Sequence, residues 1–131
     1  MVEGIISSKP TDEDVQRLKV EAALTRDYAF IQFEDDAMVI VSANGRIAWF
    51  WKGMLHREGG PALIYPSGSF RYYRHSKLHR EDGPASKTRS RSEWWLDGKI
   101  YLREEDFQAA LVVWREAKEA EPRTTDDEEK P

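Results

Sequence analysis

The sequence predicts an α+β fold: an antiparallel β-meander of repeated hairpins, with an N-terminal helix and a C-terminal helix packed on the sheet. The first observation is an internal repeat, because residues 55–62 (LHREGGPA) return 23 residues later as residues 78–85 (LHREDGPA). A repeat of this length indicates a supersecondary unit that stacks on its copies. The second observation is that residues 11–26 and 103–120 have the start signals and apolar spacing of amphipathic helices.

Composition limits the class of protein. The 131 residues are 40% hydrophobic and 34% charged, with a net charge of −4 and no cysteine. These values predict one soluble globular domain at residues 1–121, without disulfides, zinc–thiolate sites or cysteine nucleophiles. We see no signal peptide and no apolar run near the roughly 20 residues of a membrane helix, so we expect a cytoplasmic protein with no membrane partner. Residues 122–131 are acidic and polar, which predicts a disordered tail.

The N-terminal helix is predicted to start at residue 11. Thr11 can accept hydrogen bonds from first-turn amides, and Asp14 can reach back to complete a capping box. The helix is expected to end near residues 25–26. Its apolar face contains Val15, Leu18 and Ala22, with Leu24 less well placed.

Three strands are predicted next, at residues 28–33, 37–42 and 46–51. They are rich in aromatic and β-branched residues, which favour strands. The acidic break between the first two has the length of a hairpin turn. Asn44-Gly45 before the third strand readily adopts positive φ, as a tight hairpin turn requires.

Each repeat unit is predicted to contain an aromatic strand, a two-residue turn, a second strand and a Gly-Pro corner. The second copy has its aromatic strand at residues 69–74. A polar insert at residues 86–92 separates it from a degenerate third copy at residues 93–101, where Tyr101 replaces the histidine of the motif. Equivalent aromatics should share a side of the sheet, and one set should face the core: Trp49, Tyr72 and Trp94, or Phe50, Tyr73 and Trp95.

The C-terminal helix is predicted over residues 103–120. Its acidic start at residues 104–106 suits the positive end of the helix dipole. An apolar stripe at helical spacing should cover one face of the sheet. The stripe consists of Phe107, Ala110, Leu111, Trp114 and Ala117.

The His-Arg-Glu sequence at both corners has the residue types of an acid–base pair. Because it recurs at a structural period, we favour a structural role in which these side chains bond local amides and fix the turn. The imidazoles of His56, His75 and His79 are too few for a metal site in a strand–turn–strand setting. No glycine loop leads into a helix as a phosphate loop does. We therefore expect no catalytic residue, no metal, no cofactor and no enzymatic activity.

Charge is unevenly distributed along the chain. Between residues 71 and 91 there are seven lysines and arginines against two acidic residues. Interleaved aromatics and cations at residues 70–91 are typical of surfaces that bind single-stranded nucleic acid or a small nucleotide. The same face would suit an acidic protein surface, and an exposed aromatic sheet face would also suit a homodimer.

The two octapeptides, each preceded by an aromatic strand and a short turn, resemble the LHREDGPA-type, MORN-like hairpin-repeat proteins that are frequent among bacteriophage accessory proteins. The resemblance spans about residues 45–101, with departures at Gly59 and at the His75-Ser76 turn. It implies a non-enzymatic protein-binding module, and it suggests a phage-type accessory protein that inhibits a host protein in the host cytoplasm, a defence component being one candidate target. The predicted contact residues are Arg71, Tyr73, Arg74, His75, Lys77, His79, Arg80, His56 and Arg57.

Overall fold

The computed structural model describes residues 5–6, 9–34 and 36–121, and it confirms the α+β meander flanked by two helices. The helices are α1 (Asp12–Thr25) and α2 (Glu104–Ala120). The strands are β1 (Ile5–Ile6), β2 (Ala29–Phe33), β3 (Ala37–Val41), β4 (Ile47–Trp51), β5 (Met54–Leu55), β6 (Leu63–Ile64), β7 (Phe70–Arg71), β8 (Tyr73–Arg74), β9 (Lys77–Leu78), β10 (Ser86–Lys87), β11 (Ser92–Leu96) and β12 (Lys99–Tyr101). The predicted tail at residues 122–131 lies outside the described residues.

Most strands form one sheet in the order β1-β2-β3-β4-β6-β7-β10-β11-β12. Strand β5 pairs with β4 beside this path, and β8 and β9 form a hairpin of their own. Strand β1 runs parallel to β2, and the other pairs are antiparallel. Neither helix in the described part of the chain is long and apolar enough to cross a membrane.

Helix α1 starts with the predicted capping box. The hydroxyl of Thr11 accepts from the Asp14 amide at 3.1 Å, and the Asp14 carboxylate accepts from the Thr11 amide at 2.9 Å. The helix ends at Thr25 and is capped by Arg26, which has a left-handed backbone (φ 58°) and donates its amide to the Ala22 carbonyl. The buried residues of the helix are those predicted, Val15, Leu18 and Ala22, whereas Leu24 is exposed.

Strands β2, β3 and β4 alternate buried with half-buried side chains, and α1 covers β2 and β3. Every second residue of an antiparallel strand points to the same face, so this alternation places one face in the core. The first hydrophobic cluster contains Val15, Leu18, Ala22, Ala29, Ile31, Phe33, Ala37, Val39, Val41, Ile47, Trp49, Trp51 and Ala62.

The aromatic strand of the first unit changes partners halfway along its length. Strand β4 pairs with β6 through its first half and with β5 through its second half. Trp49 lies at the change, where its amide donates to the Ala62 carbonyl at 2.8 Å and its carbonyl accepts from the His56 amide at 3.0 Å. The octapeptide therefore leaves the strand at β5 and returns to it at β6.

The second unit repeats this arrangement and corrects two predictions. The single strand predicted at residues 69–74 is divided into β7 and β8, because its halves pair with different segments. Tyr72 lies between them. Its backbone amide donates to the Ala85 carbonyl at 2.6 Å, and its backbone carbonyl accepts from the His79 amide at 3.0 Å. The predicted polar insert at residues 86–92 contains β10, which completes the second unit as β6 completes the first.

A second hydrophobic cluster lies at the other end of the sheet. It contains Leu96, Phe107 and Leu111, with Trp94 and Tyr101 packed against it. Helix α2 packs on the sheet as predicted, and its main contacts are with β11 and β12 at the end of the array. Ala117, predicted in the apolar stripe, is exposed.

Candidate functional site

The histidine of each octapeptide is a buried acceptor for the next hairpin turn. His56 is 3% exposed, and its Nδ1 accepts from the backbone amide of His75 at 3.0 Å. His79 is 6% exposed, and its Nδ1 accepts from the backbone amide of Asp97 at 2.9 Å. His75 and Asp97 occupy the same position in successive turns. Each histidine therefore ties its own corner to the following unit.

The three turns have the same left-handed backbone. Their φ angles are 51° and 78° at Lys52-Gly53, 52° and 67° at His75-Ser76, and 47° and 86° at Asp97-Gly98. Positive φ at both central residues matches the twist of hairpin strands. The second unit achieves this without glycine, so Ser76 has a backbone conformation that is costly for a residue with a side chain.

Carboxylates and a guanidinium surround the His79 imidazole. Glu81 Oε2 lies 3.6 Å from Nε2, and Asp97 Oδ1 lies 3.4 Å from Nδ1. Burial has the largest effect and lowers the pKa of His79 below its ordinary value of 6.5; Asp97 opposes this shift, Arg74 adds to it, and Glu81 opposes it. The neutral ring is the form whose Nδ1 can accept from an amide, which places the proton on Nε2.

The arginine of each octapeptide closes its own corner. The Arg57 guanidinium lies 4.1 Å from the centroid of the Trp49 ring and donates to the Pro61 carbonyl at 3.1 Å. Arg80 makes the same two contacts, with the Tyr72 ring at 4.1 Å and with the proline carbonyl of its own corner at 3.1 Å. Cation–π stacking and a charge-assisted hydrogen bond thus act together in both copies.

The glycine before each proline leaves room for that guanidinium. A Cβ on Gly60 would lie 2.8 Å from Arg57 Cζ, and one on Gly83 would lie 2.9 Å from Arg80 Cζ. Both distances are too short for a real contact. The octapeptide recurs almost unchanged because its residues form one packed corner. The expectation that its histidines bond local amides is wrong, since they reach 19 and 18 residues ahead.

Helix α2 contacts the last histidine of the array and the turn that it binds. The Trp114 ring lies 5.0 Å from the His79 ring, and its Nε1 donates to Asp97 Oδ2 at 2.8 Å. Arg115 lies 3.5 Å from Glu81. In the sequence, Trp114 was predicted only as part of the apolar stripe. The position of Asp97 in the repeat was the one signal that could have indicated a contact with a histidine.

A groove of about 390 Å³ lies between the two corners. Its cations are Arg57, Arg74 and Arg80, and Gly59 and Gly60 form part of its wall. The other lining residues are Glu58, Tyr72, Tyr73, His79 and Asp82. A smaller cavity of about 90 Å³, also lined by Arg57, lies against the first hydrophobic cluster.

The groove brings together five of the predicted contact residues: Arg57, Tyr73, Arg74, His79 and Arg80. Arg71, His75, Lys77 and His56 do not line it. The pKa of Arg71 is raised, chiefly by a hydrogen bond to the side chain of Tyr73. The His75 ring packs 4.5 Å from His56 and 5.4 Å from Trp51. Lys77 is exposed on β9.

Two of the predicted contact residues require correction. The imidazoles of His56 and His79 are buried and accept hydrogen bonds from the next turn. They therefore hold the units together and do not form an exposed contact surface. Of the predicted set, the guanidinium groups of Arg57, Arg74 and Arg80 line the groove, whereas Arg71 and Lys77 are exposed outside it.

Within residues 9–34 and 36–121, no group of three or more His, Asp or Glu side chains is arranged to hold a metal ion. Comparison of the chain with protein-family models, with curated proteins and with solved structures gives no match.

Proposed function

We propose that this chain is a non-enzymatic protein-binding module, and that it acts as a phage-type accessory protein that binds and inhibits a host protein. The observation that carries the proposal is the groove between the corners, where cations from two successive units share one open surface: Arg57, Arg74 and Arg80. Electrostatic complementarity of this kind selects an acidic partner and speeds its encounter.

The scaffold supports a binding role because the groove is built from fixed groups. Arg57 and Arg80 are each stacked on a ring and bonded to a proline carbonyl. A cation that is already ordered loses little conformational entropy when a partner arrives. The imidazoles beside the groove are engaged in contacts between units, which favours a structural role for them over an acid–base role.

The groove favours a protein over a nucleic acid or nucleotide. Base recognition on a single strand depends on aromatic rings with an open face. The Trp49 ring is covered by Arg57, and the Tyr72 ring is covered by Arg80. Of the aromatic residues at positions 70–91, Tyr72 is therefore covered on one face by a guanidinium and is a poor stacking platform there.

The test is affinity capture from a bacterial lysate treated with nuclease, followed by mass spectrometry. Arg74→Ala removes a groove cation, and Arg89→Ala removes an exposed cation of the β10–β11 turn, outside the groove. We expect one protein to be captured by the native chain and by the Arg89 variant, and to be lost from the Arg74 variant. Equal capture by both variants, or capture of nucleic acid alone without nuclease, would contradict the proposal.

A further inference from the structure

The two corners differ in one residue, and that residue changes the charge balance of the arginine. In the second corner, Asp82 Oδ1 accepts from Arg80 Nε at 2.8 Å. This contact lowers the pKa of Asp82 from its ordinary value. The first corner has Gly59 at the equivalent position, with a left-handed backbone (φ 83°) that Asp82 does not share. Arg57 therefore has the ring and the proline carbonyl that Arg80 has, but not the carboxylate.

No other carboxylate of the described residues replaces Asp82 at the first corner. None of them lies within 4.0 Å of the Arg57 guanidinium; Asp12 acts on it only from a longer distance. Glu58 lies 4.0 Å from His56 Nε2, and its equivalent Glu81 is present together with Asp82 in the second corner. The first corner is thus one carboxylate short of its copy.

Burial is the largest effect on Arg57 and lowers the pKa of its guanidinium. The wall of the groove beside it is open, since a Cβ on Gly59 would meet nothing within 4 Å. A group from outside can therefore approach the place that Asp82 occupies in the other copy.

We propose that the first corner is a receptor for a carboxylate from an acidic segment of the partner protein, with an Asp or Glu side chain bound by Arg57 as Asp82 is bound by Arg80. The second corner supplies the geometry, with a carboxylate oxygen near Nε while Nη1 stays on the proline carbonyl. The inference rests on the proposed protein-binding function and specifies the chemistry of the partner.

The test uses the full chain and a capped hexaglutamate peptide, with a capped hexaglutamine peptide as the neutral control. Gly59→Asp makes the first octapeptide identical to the second and supplies an internal carboxylate. Gly59→Asn is its uncharged match, and asparagine tolerates positive φ about as well as aspartate. We expect the Asp variant to bind hexaglutamate about tenfold more weakly than the Asn variant, the factor expected for one charge-assisted hydrogen bond.

The reciprocal variant, Asp82→Gly, should create a second receptor and increase the amount of hexaglutamate bound per chain. It keeps the inference testable even if a substitution at Gly59 prevents folding. Equal binding by the Asp and Asn variants, equal binding of the two peptides, or stronger binding of inorganic phosphate than of hexaglutamate would overturn the inference. If a lysate protein is captured by the native chain and equally by Gly59→Asp, the carboxylate receptor is wrong and the binding function stands.

Discussion

Replacing His79 with phenylalanine tests whether the imidazole holds two units together. The phenylalanine would keep a ring against Trp114 but remove the acceptor for the Asp97 amide, which is 2.9 Å from Nδ1. An amide that loses its acceptor in a partly buried site costs about 1–3 kcal/mol. Since Asp97 lies at an exposed turn, where water can reach it, we expect about 1–2 kcal/mol. For a domain of this size, that loss corresponds to a decrease in Tm of roughly 4–8 °C.

The matched variant is His79→Asn, because the side-chain oxygen of asparagine lies where Nδ1 lies in histidine. It should keep the hydrogen bond and lose only the ring contact, at about 0.5–1.5 kcal/mol. Urea unfolding gives the free energy of both variants, and hydrogen exchange of the Asp97 amide reports the bond itself. The amide should exchange faster in the phenylalanine variant only. Native stability and native protection in that variant would show that the imidazole does not hold the turn.

Three further predictions test the same corner and turn. Lowering the pH below 6.5 should reduce the free energy of unfolding, because His79 takes up a proton more readily in the unfolded chain than in its buried folded site. Urea titrations should show a loss of up to about 1.4 kcal/mol per pH unit, and a smaller loss in His79→Asn. Gly83→Ala should destabilise the native domain by about 1–2 kcal/mol, but by under about 0.5 kcal/mol in an Arg80→Ala background, because the new Cβ would meet the Arg80 guanidinium. A double-mutant cycle measures both costs, and equal costs would exclude the steric explanation. Ser76→Gly should raise the free energy of unfolding by about 0.5–1 kcal/mol by relieving left-handed strain. The reverse change, Gly98→Ser, should lower it. An unchanged free energy of unfolding in Ser76→Gly would contradict this interpretation of the turn.

Local features were predictable wherever short-range chemistry decides the structure. The capping box at Thr11, the alternation along the first three strands and the acidic start of the C-terminal helix all depend on neighbours within a few residues. The repeat also identified which residues are equivalent. It could not show that the strand at residues 69–74 divides, because that depends on two different partner segments.

The candidate site depended more strongly on contacts that are distant in sequence. Five of the nine predicted contact residues line one groove, and the repeat spacing explains why Arg57 and Arg80 face it together. The burial of His56 was not predictable, since an imidazole at a Gly-Pro corner can equally point to solvent. Its direction is decided by the amide of the next turn, 19 residues away.

The sequence by itself determined that this protein contains copied hairpins, a helix at each end and a polar corner with the same residues in each copy. These features follow from periodicity and local capping. Only the tertiary structure decided that the middle of the array contains few buried apolar side chains and is held by imidazole–amide bonds and stacked guanidinium groups. It also decided that the Gly59 corner leaves Arg57 without the carboxylate of its copy. The physical reason is that hydrogen bonds and stacking of this kind depend on distance and angle in space, which the order of residues does not specify.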